Sequence, residues 1–175
     1  TQMGLLMGFW FAVFYVTMGL PFGWLADRFN RRALVGSAML FWCSMTAFCG
    51  LAANFAQLSA ARLGIGLGEA ALTPAANSII ADYFPRERQN SAITFFNMGI
   101  STGMGFAYLI GGLIVGWMAT QPPLALPLFG QLETWQVVFL AAGAPGLVVA
   151  GLILLTVREP LRRGRLARNA SEATL

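Results

Sequence analysis

The stretch GWLADRFNRR, residues 23–32, is where charge first enters this chain, and its surroundings decide the architecture. An apolar run, residues 3–25, leads into it, and a second, residues 34–53, leads away. Each is close to the roughly 20 residues that a helix needs to cross the hydrocarbon of a bilayer. Working outward, the pattern repeats: residues 58–84, 92–119 and 135–157 are also apolar, with polar or charged connections between them. Of the 175 residues, 57% are hydrophobic and 10% charged, and the mean hydropathy is +0.67. Soluble domains carry about a quarter charged residues, so the natural solvent for this surface is lipid. Unpaired backbone groups are not tolerated in hydrocarbon, and the alternation of a barrel strand is absent, so the expected fold is an all-α membrane protein with five transmembrane helices.

The basic residues orient the spans. All eleven are arginines. Arg28, Arg31 and Arg32 follow the first span, Arg86 and Arg88 the third, and Arg158, Arg162, Arg163, Arg165 and Arg168 the fifth. They fall in alternate connections, and the other two connections carry none. The positive-inside rule makes the arginine side cytoplasmic, with the N-terminus outside and the C-terminus inside. The expected organisation is a helical bundle over residues 1–157 and a cytoplasmic basic tail over residues 158–175. The expected location is a bacterial-type inner membrane, with lipids as neighbours. The net charge of +4 reports this topology and not nucleic-acid binding, because no soluble module presents the charge.

With no histidine, triads and histidine metal sites are excluded, and a membrane-embedded hydrolase would lack a nucleophile–base pair. No enzyme activity, metal or cofactor is expected. Cys43 and Cys49 are six apart in one span, poor spacing for a disulfide or metal, and read as small packing residues. Gly64 and Gly68, and Gly99 and Gly103, are four apart, a spacing that lets membrane helices approach closely. The arginine-free connection, residues 120–134, reads as irregular, with Trp117 and Trp135 anchoring the outer interface.

Arg62 is the eleventh arginine and lies about one turn inside the third span; Glu69 is near its middle. Neither is tolerated there unless it faces protein or water. Seven residues put both on one helical face, about 10 Å apart along the axis, so they can line one cavity without direct contact. One reading makes Glu69 a proton-titrating carboxylate and Arg62 an anion ligand or its electrostatic partner. The other has Arg62 snorkelling to the outer surface and Glu69 hydrogen-bonded to a neighbouring helix. Pro74 is expected to kink the helix and free a carbonyl around Ala70. Tyr15, Asn97 and Tyr108 are polar enough to line a cavity or to hydrogen-bond between helices.

The opening stretch resembles the major facilitator signature GxLaDrxGrr, with Asn30 where that family usually has Gly; Asn also tolerates a left-handed turn. RLGIGLG, residues 62–68, resembles the family's RxxxGxG motif. The five spans would then be helices two to six, and the chain a piece missing the first helix and the six-helix C-terminal half. Gly68-Glu69-Ala70, Thr73-Pro74-Ala75-Ala76, Ile80-Ala81-Asp82-Tyr83-Phe84-Pro85 and Arg158-Glu159-Pro160 are similar to the Spinster-like branch. The fourth span lacks the Gly-Pro step of the antiporter motif. The resemblance implies a cytoplasmic charge latch at Asp27, Arg28, Arg31 and Arg32, to which Asp82 is added as a candidate partner. It also implies proton coupling at Glu69, with Arg62 at the central cavity. The implied function is proton-coupled transport of a small amphipathic organic or lipid-like solute by alternating access. Carboxylate or sugar-acid symport and drug efflux on the same fold are the alternatives.

Overall fold

A computed structural model describes residues 8–9, 11–120, 124–126 and 130–162. Six helices and one small hairpin follow in order: α1 Phe11–Arg28, α2 Arg31–Cys49, α3 Phe55–Glu69, α4 Leu72–Tyr83, α5 Arg86–Met118, β1 Leu124–Leu126, β2 Gly130–Leu132 and α6 Thr134–Thr156. Three of them, α2, α5 and α6, are each long and apolar enough to cross a membrane by length and composition.

The expected third span is two helices. Pro74 has no N–H to give to the Ala70 carbonyl, so the ladder fails there. α3 closes instead on a tightened turn in which the Ala71 amide donates to the Gly68 carbonyl at 3.3 Å. α4 then restarts at Leu72, with Pro74 in its first turn, where amides lack intrahelical partners in any helix. The kink expected from sequence falls at a two-residue turn, Ala70 and Ala71, whose backbone stays in the right-handed helical region.

Two further expectations change. Asn30 is not in a left-handed turn: with φ −66° and ψ 113° it is the N-cap of α2, its side chain accepting from the Ala33 amide at 2.8 Å. Asparagine is suited to that position because it satisfies an orphan donor of the first turn. The connection after α5 is not wholly irregular either, since β1 and β2 pair antiparallel with Leu124 opposite Leu132. Three residues free of proline on each side suffice for that short ladder. α5 begins at Arg86, six residues before the apolar run, because the charged turn after the N-cap Pro85 is itself helical.

α2 is the central helix, packed on α6, α3 and α4. Glycine makes the approach possible on two sides. A Cβ on Gly143 of α6 would lie 2.9 Å from the Cys43 carbonyl oxygen and from the Ala47 nitrogen. A Cβ on Gly68 of α3 would lie 2.9 Å from the Trp42 Cβ, and one on Gly64 would lie 2.8 Å from Met45. Gly99 and Gly103 on α5 have the same spacing but nothing within 4 Å. Cys43 and Cys49 are buried and free, as packing residues.

Candidate functional site

The start of α2, the end of α4 and the segment after α6 converge on one buried cation. Arg31 stands at the start of α2, where Asn30 ends the connection from α1, and only 2% of its surface is exposed. Its Nη1 donates to Asp82 Oδ2 at 2.5 Å, and also to the Ser78 hydroxyl at 2.9 Å and carbonyl at 3.1 Å, all on α4. Its Nε donates to Glu159 Oε1 at 2.8 Å, and its Nη2 to the Pro160 carbonyl at 3.1 Å. The other Glu159 oxygen accepts the Arg32 amide at 2.8 Å. Arg32 also donates through its guanidinium to the Leu154 carbonyl.

The chain just past α6 is thereby fastened under the bundle. Tyr83 donates to the Arg158 carbonyl at 2.6 Å, and Arg162 donates to the Ala26 and Phe29 carbonyls at 2.9 and 2.5 Å. Those carbonyls end α1, where no further helical donor reaches them. The first residues of the expected tail are therefore docked; residues 163–175 lie outside the described residues. Burial works against the Glu159 carboxylate, but hydrogen bonds from Arg31 and the Arg32 amide, with the Arg31 charge, outweigh it and hold its pKa below the usual range.

Of the residues expected in the latch, the structure brings Arg31, Arg32 and Asp82 together and leaves out Asp27 and Arg28. Asp27 is exposed and makes no ion pair among the described residues. Arg28 stacks on its own helix, 4.2 Å over the Trp24 ring. Glu159, Ser78 and Arg162 were not expected in the latch from sequence. A lone acid inside a run of five arginines was the available signal for Glu159; the roles of Ser78 and Arg162 depend on long-range packing.

Within the apolar layer, Arg62 lies 5.2 Å over the Phe139 ring of α6 and is half-buried. Its guanidinium is thus stabilised by a ring face, not by a carboxylate. Glu69 is exposed at the end of α3, directly before the break. The two do not touch, and among the described residues neither makes an ion pair. Tyr15 shares a hydrogen bond of 3.4 Å with Thr73 of α4, one turn below Glu69 along the chain. Asn97 and Tyr108 on α5 are exposed, Tyr108 at 79%. Pro74 is in the first turn of α4, just past the turn that separates it from α3.

A bundle of apolar helices fastened by a charged clamp on one side defines a multi-pass membrane protein. The chain belongs to the Major Facilitator Superfamily, whose family model it matches over residues 1–175. It is 32% identical, over 88% of its own length, to a probable galactarate/D-glucarate transporter of Bacillus subtilis, covering 32% of that protein. It is 30% identical to an MFS-type efflux pump of Mycolicibacterium smegmatis, over 90% of this chain and 33% of the pump. A crystal structure of a bacterial homolog of the human lysosomal transporter Spinster, inward-facing and unoccupied, superposes with a TM-score of 0.72 at 38% identity. The superposition covers 91% of this chain and 36% of the other. The Spinster-like resemblance read from residues 68–85 is borne out by that match. The chain spans about a third of the length of the relatives it matches.

Proposed function

We propose that the chain forms part of a secondary transporter that moves a small amphipathic or lipid-like solute by alternating access, coupled to protons through Glu69. The observation that carries this reading is Glu69 itself. It is a carboxylate in an apolar segment, unpaired among the described residues, at the turn that separates α3 from α4. Intramembrane carboxylates of this kind persist where a proton or ligand compensates them. In this reading the break at Pro74 lets α3 and α4 move independently, and Arg62 faces the substrate route once it leaves Phe139. Tyr15, Asn97 and Tyr108 add polar lining. The Arg31 clamp holds the cytoplasmic side, in a bacterial inner membrane with the arginines inside.

A sugar-acid substrate is the second reading, favoured by Arg62 as a fixed intramembrane cation and by the Bacillus relative. The test is solute-driven proton flux in vesicles holding the full-length parent. Flux with lysolipids and none with sugar acids supports the first reading; the reverse supports the second. Flux with neither class removes both.

A further inference from the structure

We propose that Asn77 of α4 is a positioning residue in a hydrated path that carries protons between Glu69 and the arginine-rich side of the bundle. The inference rests on the reading of Glu69 as the proton carrier and adds the route the proton takes. Its starting point is the Asn77 carboxamide oxygen. Among the described residues it is the one buried side-chain oxygen or nitrogen without a hydrogen-bond partner. Buried polar atoms are almost always paired, so an unpaired one marks a place where a donor arrives during function. A water or a hydrated proton is the donor that fits a small polar site of this kind.

The neighbours of Asn77 along the chain supply the rest of the path. Thr73 stands one turn before it on the same face of α4. Glu69 stands one turn further back, across the Ala70–Ala71 turn that keeps right-handed helical backbone. Each step is about 6 Å along the axis, close to the span that one bridging water covers. The Thr73 hydroxyl lies 3.4 Å from that of Tyr15 on α1. Pro74 has no N–H for the Ala70 carbonyl, which adds a backbone acceptor between Glu69 and Thr73. One turn beyond Asn77, the Ala81 carbonyl accepts from the Gln89 side chain at 2.8 Å, at the corner of α4 and α5. A polar group therefore recurs at each turn from Glu69 to the end of α4. Ser78, the next residue, belongs to the clamp, its hydroxyl accepting from Arg31 at 2.9 Å beside Asp82.

On release, the Glu69 carboxyl gives its proton to a water between it and Thr73 and is left as the carboxylate. The Thr73 hydroxyl accepts that proton and passes its own to water held by the Asn77 oxygen, and bulk water on the arginine-rich side takes it up. Asn77 does not change protonation. Its oxygen fixes where the water sits, so that each transfer spans one hydrogen bond.

The experiment offers lysophosphatidylglycerol and galactarate, in separate vesicles holding the full-length parent, and compares proton-driven accumulation with counterflow. Asn77→Leu keeps the volume and removes the acceptor; Asn77→Val is the second apolar variant. Both are expected to slow accumulation by about fivefold or more while counterflow stays within about twofold of wild type. Asn77→Ser, which still holds a water, should recover about half of the lost rate. Accumulation at the wild-type rate in both apolar variants, where Glu69→Gln abolishes it, overturns the path and leaves the role of Glu69 standing. Equal loss of accumulation and counterflow in both apolar variants, or no recovery in Asn77→Ser, also overturns it, since packing alone would do that. Accumulation that does not depend on Glu69, or none with either solute, removes the proton reading and the path with it.

Discussion

Arg31 and Asp82, 51 residues apart in sequence, meet with Nη1 and Oδ2 at 2.5 Å, and Glu159 closes on the same guanidinium from the far end of the chain. One buried cation thus joins the start of α2, the end of α4 and the segment after α6. A guanidinium suits this task because its planar fork presents donors in several directions at once, which a lysine ammonium on a flexible stem does not.

Arg31→Met leaves Asp82 and Glu159 without their cation. Breaking a well-buried ion pair costs about 3–5 kcal/mol; with both carboxylates partly exposed, a loss on the order of 2–3 kcal/mol is expected. Thermal unfolding of the purified protein in detergent should show a clearly lowered midpoint, and Arg31→Lys should recover only part of it.

The clamp weakens in acid. Glu159 has a folded-state pKa below its ordinary 4.5, so its contribution is present above that value and is lost as pH falls through the folded pKa. Amide protection of residues 157–162, corrected for intrinsic exchange rates, should be flat from neutral pH to about 5 and drop below about 4. In Glu159→Gln the protection should be lower at neutral pH and show a much smaller acid step, with Asp82 as the remaining carboxylate on Arg31.

Glycines of the same spacing differ in consequence. Gly143→Ala puts a methyl 2.9 Å from the backbone of α2, which does not yield easily, so roughly 1–3 kcal/mol of overpacking is expected. Gly99→Ala meets nothing within 4 Å in this chain, so expressed as this chain alone it should leave stability equal or higher, by up to about 1 kcal/mol from helix propensity. Paired denaturation curves of the two variants separate the cases.

At Pro74 the expected effect is on motion more than on stability. Pro74→Ala supplies an amide to the Ala70 carbonyl and closes the gap between α3 and α4. The unfolding midpoint should move by no more than the equivalent of about 1 kcal/mol, while uptake by the full-length parent falls. Unchanged uptake would remove the break from the transport cycle.

Much of this was legible in the residues. The apolar runs gave the helices, because hydrocarbon leaves the backbone few options. Arg31 and Arg32 came from the resemblance to the major facilitator signature, and Asp82 from its place at the end of the third apolar run. What stayed hidden depended on long-range packing or on competition between local rules. Glu159 reads as one acid in a basic tail until the tail is seen folded under the bundle. Asn30 fits a turn and an N-cap equally well by composition, and the following helix decides. Gly64 and Gly99 are indistinguishable by spacing, since only the neighbouring helix determines which small residue is needed. Arg62 invited a carboxylate partner, but the Phe139 ring from the last helix lies beneath it.

The central claim is that Glu69 carries the proton. Its most direct measurement compares proton-driven accumulation with solute counterflow in vesicles containing the full-length parent, wild type against Glu69→Gln. Accumulation is expected to disappear in the variant while counterflow, which needs binding and alternation but no net proton movement, persists. Proton-driven accumulation at the wild-type level in Glu69→Gln would contradict the account.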